Sequence, residues 1–182
     1  VSFGMVSVVP LIYARHMNAL KSILIVYHSM TGGTRQMVEA ARDGAMGEPG
    51  VQVRLMQASE AGPGDVLSAD GFIFATPENL AAMSGQLKDF FDRSYYAALD
   101  QINGRPYATL ICAGSDGHNA ARQIDRIATG WRLKPIAEPL IVCTHAQTTE
   151  AILAAKQIGP DDLESSRALG EALAAGLILG VF

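Results

Sequence analysis

From Ser22 onward, apolar runs of strand length alternate with stretches of helical periodicity, and that alternation predicts an α/β protein. Ile23-Leu24-Ile25-Val26-Tyr27 is an unbroken β-branched and aromatic run, as expected of a central strand buried on both faces of a parallel sheet. Arg35 to Ala45 then takes up a helical pattern with Met37, Val38, Ala41 and Ala45 on one side. Val51 to Met56 alternates apolar with polar residues and predicts a less buried edge strand. Ala61 to Asp65 reads as a loop or a single helical turn. Gly71-Phe72-Ile73-Phe74-Ala75 is a third, fully apolar strand, ended by a loop at Thr76-Pro77-Glu78-Asn79-Leu80. A helix is expected from Ser84, with Leu87, Phe90, Phe91, Tyr95 and Ala98 on its stripe. Tyr107 to Ala113 is the fourth strand, followed by a loop of small and polar residues and a helix that Gly130 is placed to stop. Leu140 to Cys143 is the fifth strand, and Gly159-Pro160 opens a last helix whose expected buried side is Leu163, Leu169, Ala172, Leu173 and Leu177. Five strands alternating with helices imply a parallel sheet covered on both faces, with ligands at the carboxyl ends of the strands.

The first such carboxyl end carries chemistry. Ser29-Met30-Thr31-Gly32-Gly33-Thr34 combines three hydroxyl side chains with two glycines between a buried strand and a helix. A phosphate monoester has nearly two negative charges and three acceptor oxygens, which helix N-terminal N–H groups and nearby hydroxyls satisfy together. The loop lacks the lysine of a nucleoside-triphosphate loop and the G-x-G-x-x-G spacing of a dinucleotide site, so a mononucleotide held without metal fits it better. The plainer reading is an ordinary strand-to-helix turn with Ser29 or Thr31 as N-cap.

Composition narrows the setting. The 182 residues make one ordinary domain, and a net charge of −4 supplies no basic field for nucleic acid. Cys112 and Cys143 lie inside apolar runs, where free thiols behave as small core hydrophobes, which points to a reducing, cytoplasmic setting. His16, His28, His118 and His145 are scattered without a second ligand at metal-binding spacing, so no metal is expected. Residues 1–16 are apolar and uncharged until Arg15, interrupted by Pro10 and too short to span a membrane, and lack the basic start of a signal peptide. They are expected to be an extension to a domain of residues 17–182, and a chain starting at Met17 is expected to fold.

Taken together, SMTGGT (Ser29 to Thr34), TPENLAAMSGQLKDFFDR (Thr76 to Arg93) and AGSDGH (Ala113 to His118) resemble, in order, the three loops of the flavodoxin-like superfamily. Within it the chain is most similar to the FMN-dependent NAD(P)H:quinone oxidoreductase branch, the tryptophan-repressor-binding-protein type. The resemblance implies a flavodoxin-like three-layer sandwich with a five-stranded parallel sheet in the order 2-1-3-4-5. It implies FMN as cofactor, with NAD(P)H as co-substrate and a quinone or similar small molecule as acceptor, in a homodimer or tetramer. Ser29, Met30, Thr31, Gly32, Gly33 and Thr34 would then hold the FMN phosphate. Pro77, Glu78, Asn79 and Leu80 would border the flavin ring, and Ala113, Gly114, Ser115, Asp116, Gly117 and His118 would line its other side. In that branch an aromatic and a basic residue usually stand where this chain has Asn79 and Leu80.

No catalytic residue is assigned; Glu78 and His118 are candidates. Asp116 reads equally as a helix cap and as a flavin contact, and Trp131, Tyr95 and Tyr96 as core or subunit-interface residues. Two other function classes remain open at this point: a one-electron carrier, for which −4 is a modest charge, and a non-catalytic mononucleotide-binding regulatory domain.

Overall fold

The computed structural model describes residues 20–182. The expected extension of residues 1–16, and with it the boundary at Met17, lies outside the described residues. Strand β1 (Lys21–Tyr27) is buried from Ser22 to Tyr27, because it is hydrogen-bonded on both sides and covered on both faces. On one side it pairs in parallel with β2 (Val51–Gln57), on the other with β3 (Gly71–Asn79). Strand β3 continues to β5 (Pro106–Ala113), and β5 to β7 (Leu140–Cys143), again in parallel. The five parallel strands therefore run β2-β1-β3-β5-β7, the expected order, with the half-buried β2 at one edge. Two short pieces are additions to it. β6 (Lys134–Pro135) pairs with the start of β5, and β4 (Ala82–Met83) folds back antiparallel onto the end of β3.

Side-chain alternation along β1 builds two cores. Ile23, Ile25 and Tyr27 face helices α1 (Gly33–Met46) and α6 (Pro160–Leu179), together with Met37, Val38, Leu173 and Leu177. Leu24 and Val26 face the other layer, formed by α2 (Pro63–Ser68), α3 (Gly85–Ala98) and α4 (His118–Gly130). There Phe74 packs against Phe90, Phe91 and Trp131, and each such fully buried side chain contributes roughly 1.5–3 kcal/mol. Trp131 is wholly buried and stacked on Tyr95, whereas Tyr96 is exposed.

Three local expectations are corrected. Ala172 is exposed; the buried residues of α6 are Ser166, Gly170, Leu173, Ala174, Gly176 and Leu177. The buried face shifts because α1 and α6 cross backbone to backbone: a Cβ on Gly44 would run into the Arg167 carbonyl, and one on Gly170 into that of Ala41. Gly130 does not stop α4 but is its last residue, with Arg132 taking the positive φ. Gly130 is small because Tyr95 packs against it. Finally, Thr76 to Asn79 is not loop but the continuation of β3, and Leu80-Ala81 is the two-residue turn into β4. Among the described residues, no helix is long and apolar enough to cross a membrane.

Candidate functional site

The carboxyl ends of β1, β3 and β5 bring the three loops to one edge of the sheet. In the first loop Gly32 is the N-cap of α1, in the left-handed region at φ 90°, which a side chain would strain. No side chain caps from that position. Ser29 acts from outside instead, its Oγ accepting from Gly32 N–H at 3.2 Å and Arg35 N–H at 3.3 Å. The N–H groups of Gly33 and Thr34 remain in the first turn, where α1 offers them no acceptor of its own. Gly33 sits against the floor: a Cβ there would lie 2.5 Å from Cys112 Sγ and 3.3 Å from Lys156 Cβ. Burial pushes the Cys112 thiol up to about 11, opposed by the positive field of Lys156, so Cys112 is a neutral wall. It belongs to no disulfide.

The second loop is a β-hairpin, Glu78 pairing with Met83 and Asn79 with Ala82. Its turn residues Leu80 (φ 49°) and Ala81 (φ 58°) both occupy the left-handed region, as a type I′ turn demands, although neither is glycine or asparagine. Leu80 is fully exposed. The hairpin is moored to the third loop and α4. Gly117 N–H donates to Glu78 Oε2 at 2.7 Å, Met83 N–H donates to Gln123 Oε1 at 3.0 Å, and the Asn119 amide donates to the Ala81 carbonyl. The other carboxylate oxygen, Glu78 Oε1, is buried and has no partner among the described residues.

Between these loops lies a partly open cleft of about 60 Å³, a few water positions at about 10–15 Å³ each. Ser29, Met30, Thr31, Gly33, Thr34, Pro77, Glu78, Asn79, Ala113 and Gly114 line it. The structure places the other expected site residues differently. Gly32 caps the helix behind the cleft, and Leu80 projects from the hairpin tip. Ser115 and Asp116 are exposed, Gly117 is spent on Glu78, and His118 opens into a separate cleft between α4 and residues 134–141. Asp116 does not cap α4; its Oδ1 lies 2.6 Å from His118 Nδ1, which holds the Asp116 carboxyl below its ordinary value.

Sequence reasoning missed one wall of the cleft, made by Thr144, Ala146, Ile152 and Lys156. These residues come from the segment after β7, which includes the short helix α5 (Thr149–Leu153). Lys156 N–H donates to the Thr31 carbonyl at 2.9 Å. Gln36 ties the two segments together: its amide donates to Gly32 O (3.0 Å) and Lys156 O (2.7 Å), and its Oε1 accepts from Ile158 N–H (3.1 Å). Nothing in the sequence around Gln36, which stands beside the exposed Arg35, signalled a partner arriving there.

The family of NADPH-dependent FMN reductases matches residues 64–148. A flavodoxin of Aquifex aeolicus is 34% identical over 95 residues, covering 52% of this chain and 51% of that protein. An NAD(P)H dehydrogenase (quinone) of Acidithiobacillus ferrooxidans is also 34% identical, over 41% of this chain and 48% of the other. The chain spans about half the length of the curated relatives it matches. Among solved structures, a flavodoxin from the domain Archaea superposes with a TM-score of 0.70 at 17% identity, over 86% of this chain and 99% of its own. A WrbA-like flavodoxin of Agrobacterium tumefaciens gives 0.68 at 20% identity, over 87% and 98%. The fold is that of the flavodoxins, and the sequence is similar to FMN reductases and to NAD(P)H:quinone dehydrogenases.

Proposed function

We propose that this chain is an FMN-dependent oxidoreductase that takes reducing equivalents from NAD(P)H and passes them to a quinone or a similar small acceptor. The observation that carries the reading is one cleft lined both by the hydroxyl- and glycine-rich start of α1 (Ser29, Thr31, Gly33, Thr34) and by Glu78, whose buried Oε1 has no partner among the described residues. A flavin mononucleotide matches both ends, its phosphate needing donors and its ring imide N–H needing an acceptor. FMN, when bound, supplies a ring that accepts hydride and releases electrons.

The chain's own part is positioning. Ser29, Met30, Thr31, Gly33 and Thr34 surround the phosphate with backbone N–H groups and hydroxyls, and Gly32, the N-cap behind them, shapes the turn. Pro77, Glu78 and Asn79 border the ring, with Leu80 beyond them at the hairpin tip. Glu78 is anchored through Oε2 by Gly117 N–H, which leaves the buried Oε1 as the unpartnered acceptor that a ring N–H would satisfy. Ala113 and Gly114 form the facing wall; Ser115 and Asp116 stand exposed beyond it, Gly117 holds Glu78, and His118 lies in the separate cleft. Small residues at Ala81, Ala82 and Gly114 would leave room for a nicotinamide and then an acceptor to enter in turn.

The test is spectroscopic. Purified protein mixed with FMN should quench flavin fluorescence in a one-to-one titration, and under nitrogen NADPH or NADH should bleach the bound flavin, with benzoquinone restoring it. FMN bound but unreduced by either nucleotide would favour the one-electron carrier; no binding would remove the flavin reading. Thr34 is nearly fully buried in the first turn, and Thr34→Val should weaken FMN by about 1.5–3 kcal/mol if its hydroxyl donates to the phosphate.

A further inference from the structure

The first loop brings no cation to a ligand that carries nearly two negative charges, yet the cleft is not without one. Among the residues that line it, Lys156 is the only lysine, arginine or histidine. It is also firmly seated. Its backbone is bonded on both sides to the loop, through Thr31 O and through Gln36, and its Cβ packs where Gly33 has none. The ammonium is held by the last carbonyls of α5, donating to Ala151 O at 2.6 Å, Ile152 O at 2.9 Å and Ala154 O at 2.7 Å. Its field reaches the Cys112 thiol on the cleft floor.

We propose that Lys156 is the cation of the phosphate site and that it makes the site select a phosphorylated flavin over the unphosphorylated one. The inference rests on the FMN reading. Helix α5 has no buried residue of its own, so packing does not explain why the chain places a short helix here. What the helix does is fix the ammonium of a cleft-lining lysine whose backbone and Cβ lie against the start of α1: the carbonyls orient Nζ before any ligand arrives, and the side-chain entropy of a long lysine is lost on folding rather than on binding. Neutral N–H groups and hydroxyls recognise the shape of a phosphate; a fixed positive charge in a partly enclosed cleft adds a term that depends on the phosphate charge alone. The segment 120 residues beyond Gln36 thus supplies what the loop's own sequence lacks.

The experiment is a pair of fluorescence titrations, FMN and riboflavin, on the full chain freed of flavin, for the wild type, Lys156→Gln and Lys156→Arg. The expected result is that Lys156→Gln weakens FMN about tenfold or more and leaves riboflavin within about twofold, while Lys156→Arg keeps FMN close to the wild type. Added salt should weaken FMN less steeply in Lys156→Gln than in the wild type. FMN and riboflavin weakened alike would assign Lys156 to packing and overturn the proposal, as would an unchanged FMN affinity. Should Lys156→Gln fail to fold, Lys156→Arg decides: retained preference for FMN over riboflavin supports the charge, and a lost preference overturns it. Wild-type protein that binds no FMN would instead remove the flavin reading itself.

Discussion

Two loops that meet at one cleft are built in opposite ways. The first, Ser29 to Thr34, is stabilised from within: Ser29 Oγ serves N–H groups three and six residues on, and the residue at φ 90° is a glycine. The second, the Glu78–Met83 hairpin, places Leu80 and Ala81 where glycine or asparagine belongs, and is held by Gly117, Asn119 and Gln123 from the third loop and α4. In the first loop, local preference and final conformation agree. In the second, tertiary contacts impose a conformation that the residues resist, and backbone strain of that kind gathers at ligand sites. The difference teaches where each loop's function sits: the first presents a rigid binding surface, while the second holds Glu78 in place through strain maintained by its neighbours.

The largest effect is expected from spoiling the self-consistent loop. Gly33→Val would push a branched side chain against Cys112 Sγ and Lys156, costing about 3 kcal/mol, the upper end for overpacking, and closing the phosphate niche. The smaller change Gly33→Ala isolates the contact, because in a Cys112→Ala background the thiol is gone. Urea denaturation should show much of the alanine penalty recovered in the double variant. Equal penalties in both backgrounds would place the clash with Lys156 and Ile158 rather than with the thiol.

The strained hairpin should respond in the other direction. Replacing Leu80-Ala81 with Asn-Gly supplies the residues a type I′ turn favours and should stabilise the fold by about 1–2 kcal/mol, since a left-handed conformation costs an ordinary residue about that much. Leu80 loses no packing in the exchange because it is fully exposed. No gain in the urea midpoint would show that the turn carries no strain, and the contrast between the loops would fail.

The same contrast explains what could be read from the sequence. The five strands and the first loop were legible because their signals are local: an apolar run, then hydroxyls and glycines, then a helical stripe; the strand order came through the resemblance of the three loops. The hairpin was not, because nothing in Glu78-Asn79-Leu80-Ala81 favours a turn of that type and its moorings lie some forty residues away. Lys156 was invisible for the same reason. In the sequence it stands in a stretch without motif, and only the bonds from Gln36 and Thr31 bring it to the first loop. Ala172 failed differently, since helical periodicity alone could not anticipate the backbone approaches of Gly44 to Arg167 and of Gly170 to Ala41 that set the face of α6.

The smallest expected effect concerns the residue that joins the two regions. His28 follows β1, leads into the first loop, and donates its N–H to the Ala75 carbonyl of β3 at 3.1 Å. Its Nδ1 is buried without a partner among the described residues, and burial lowers its pKa from the ordinary 6.5. The sign follows from proton counting. With the folded pKa below the unfolded one, the unfolded chain binds more protons in the region below pH 6.5. Stability is therefore fully present above pH 6.5 and declines as pH falls from there through the lowered folded value. The Asp116 carboxyl, depressed by its bond to His118, acts in the same direction but only lower down, as pH falls below its ordinary value of 3.8, so the two contributions separate. Comparing urea denaturation at pH 7.5 and pH 5.5, the wild type should lose stability, whereas His28→Asn, which does not titrate there, should lose less. Equal losses in the two proteins would mean that His28 takes up its proton as readily in the fold as outside it, and that the junction between the loops carries no pH dependence of its own.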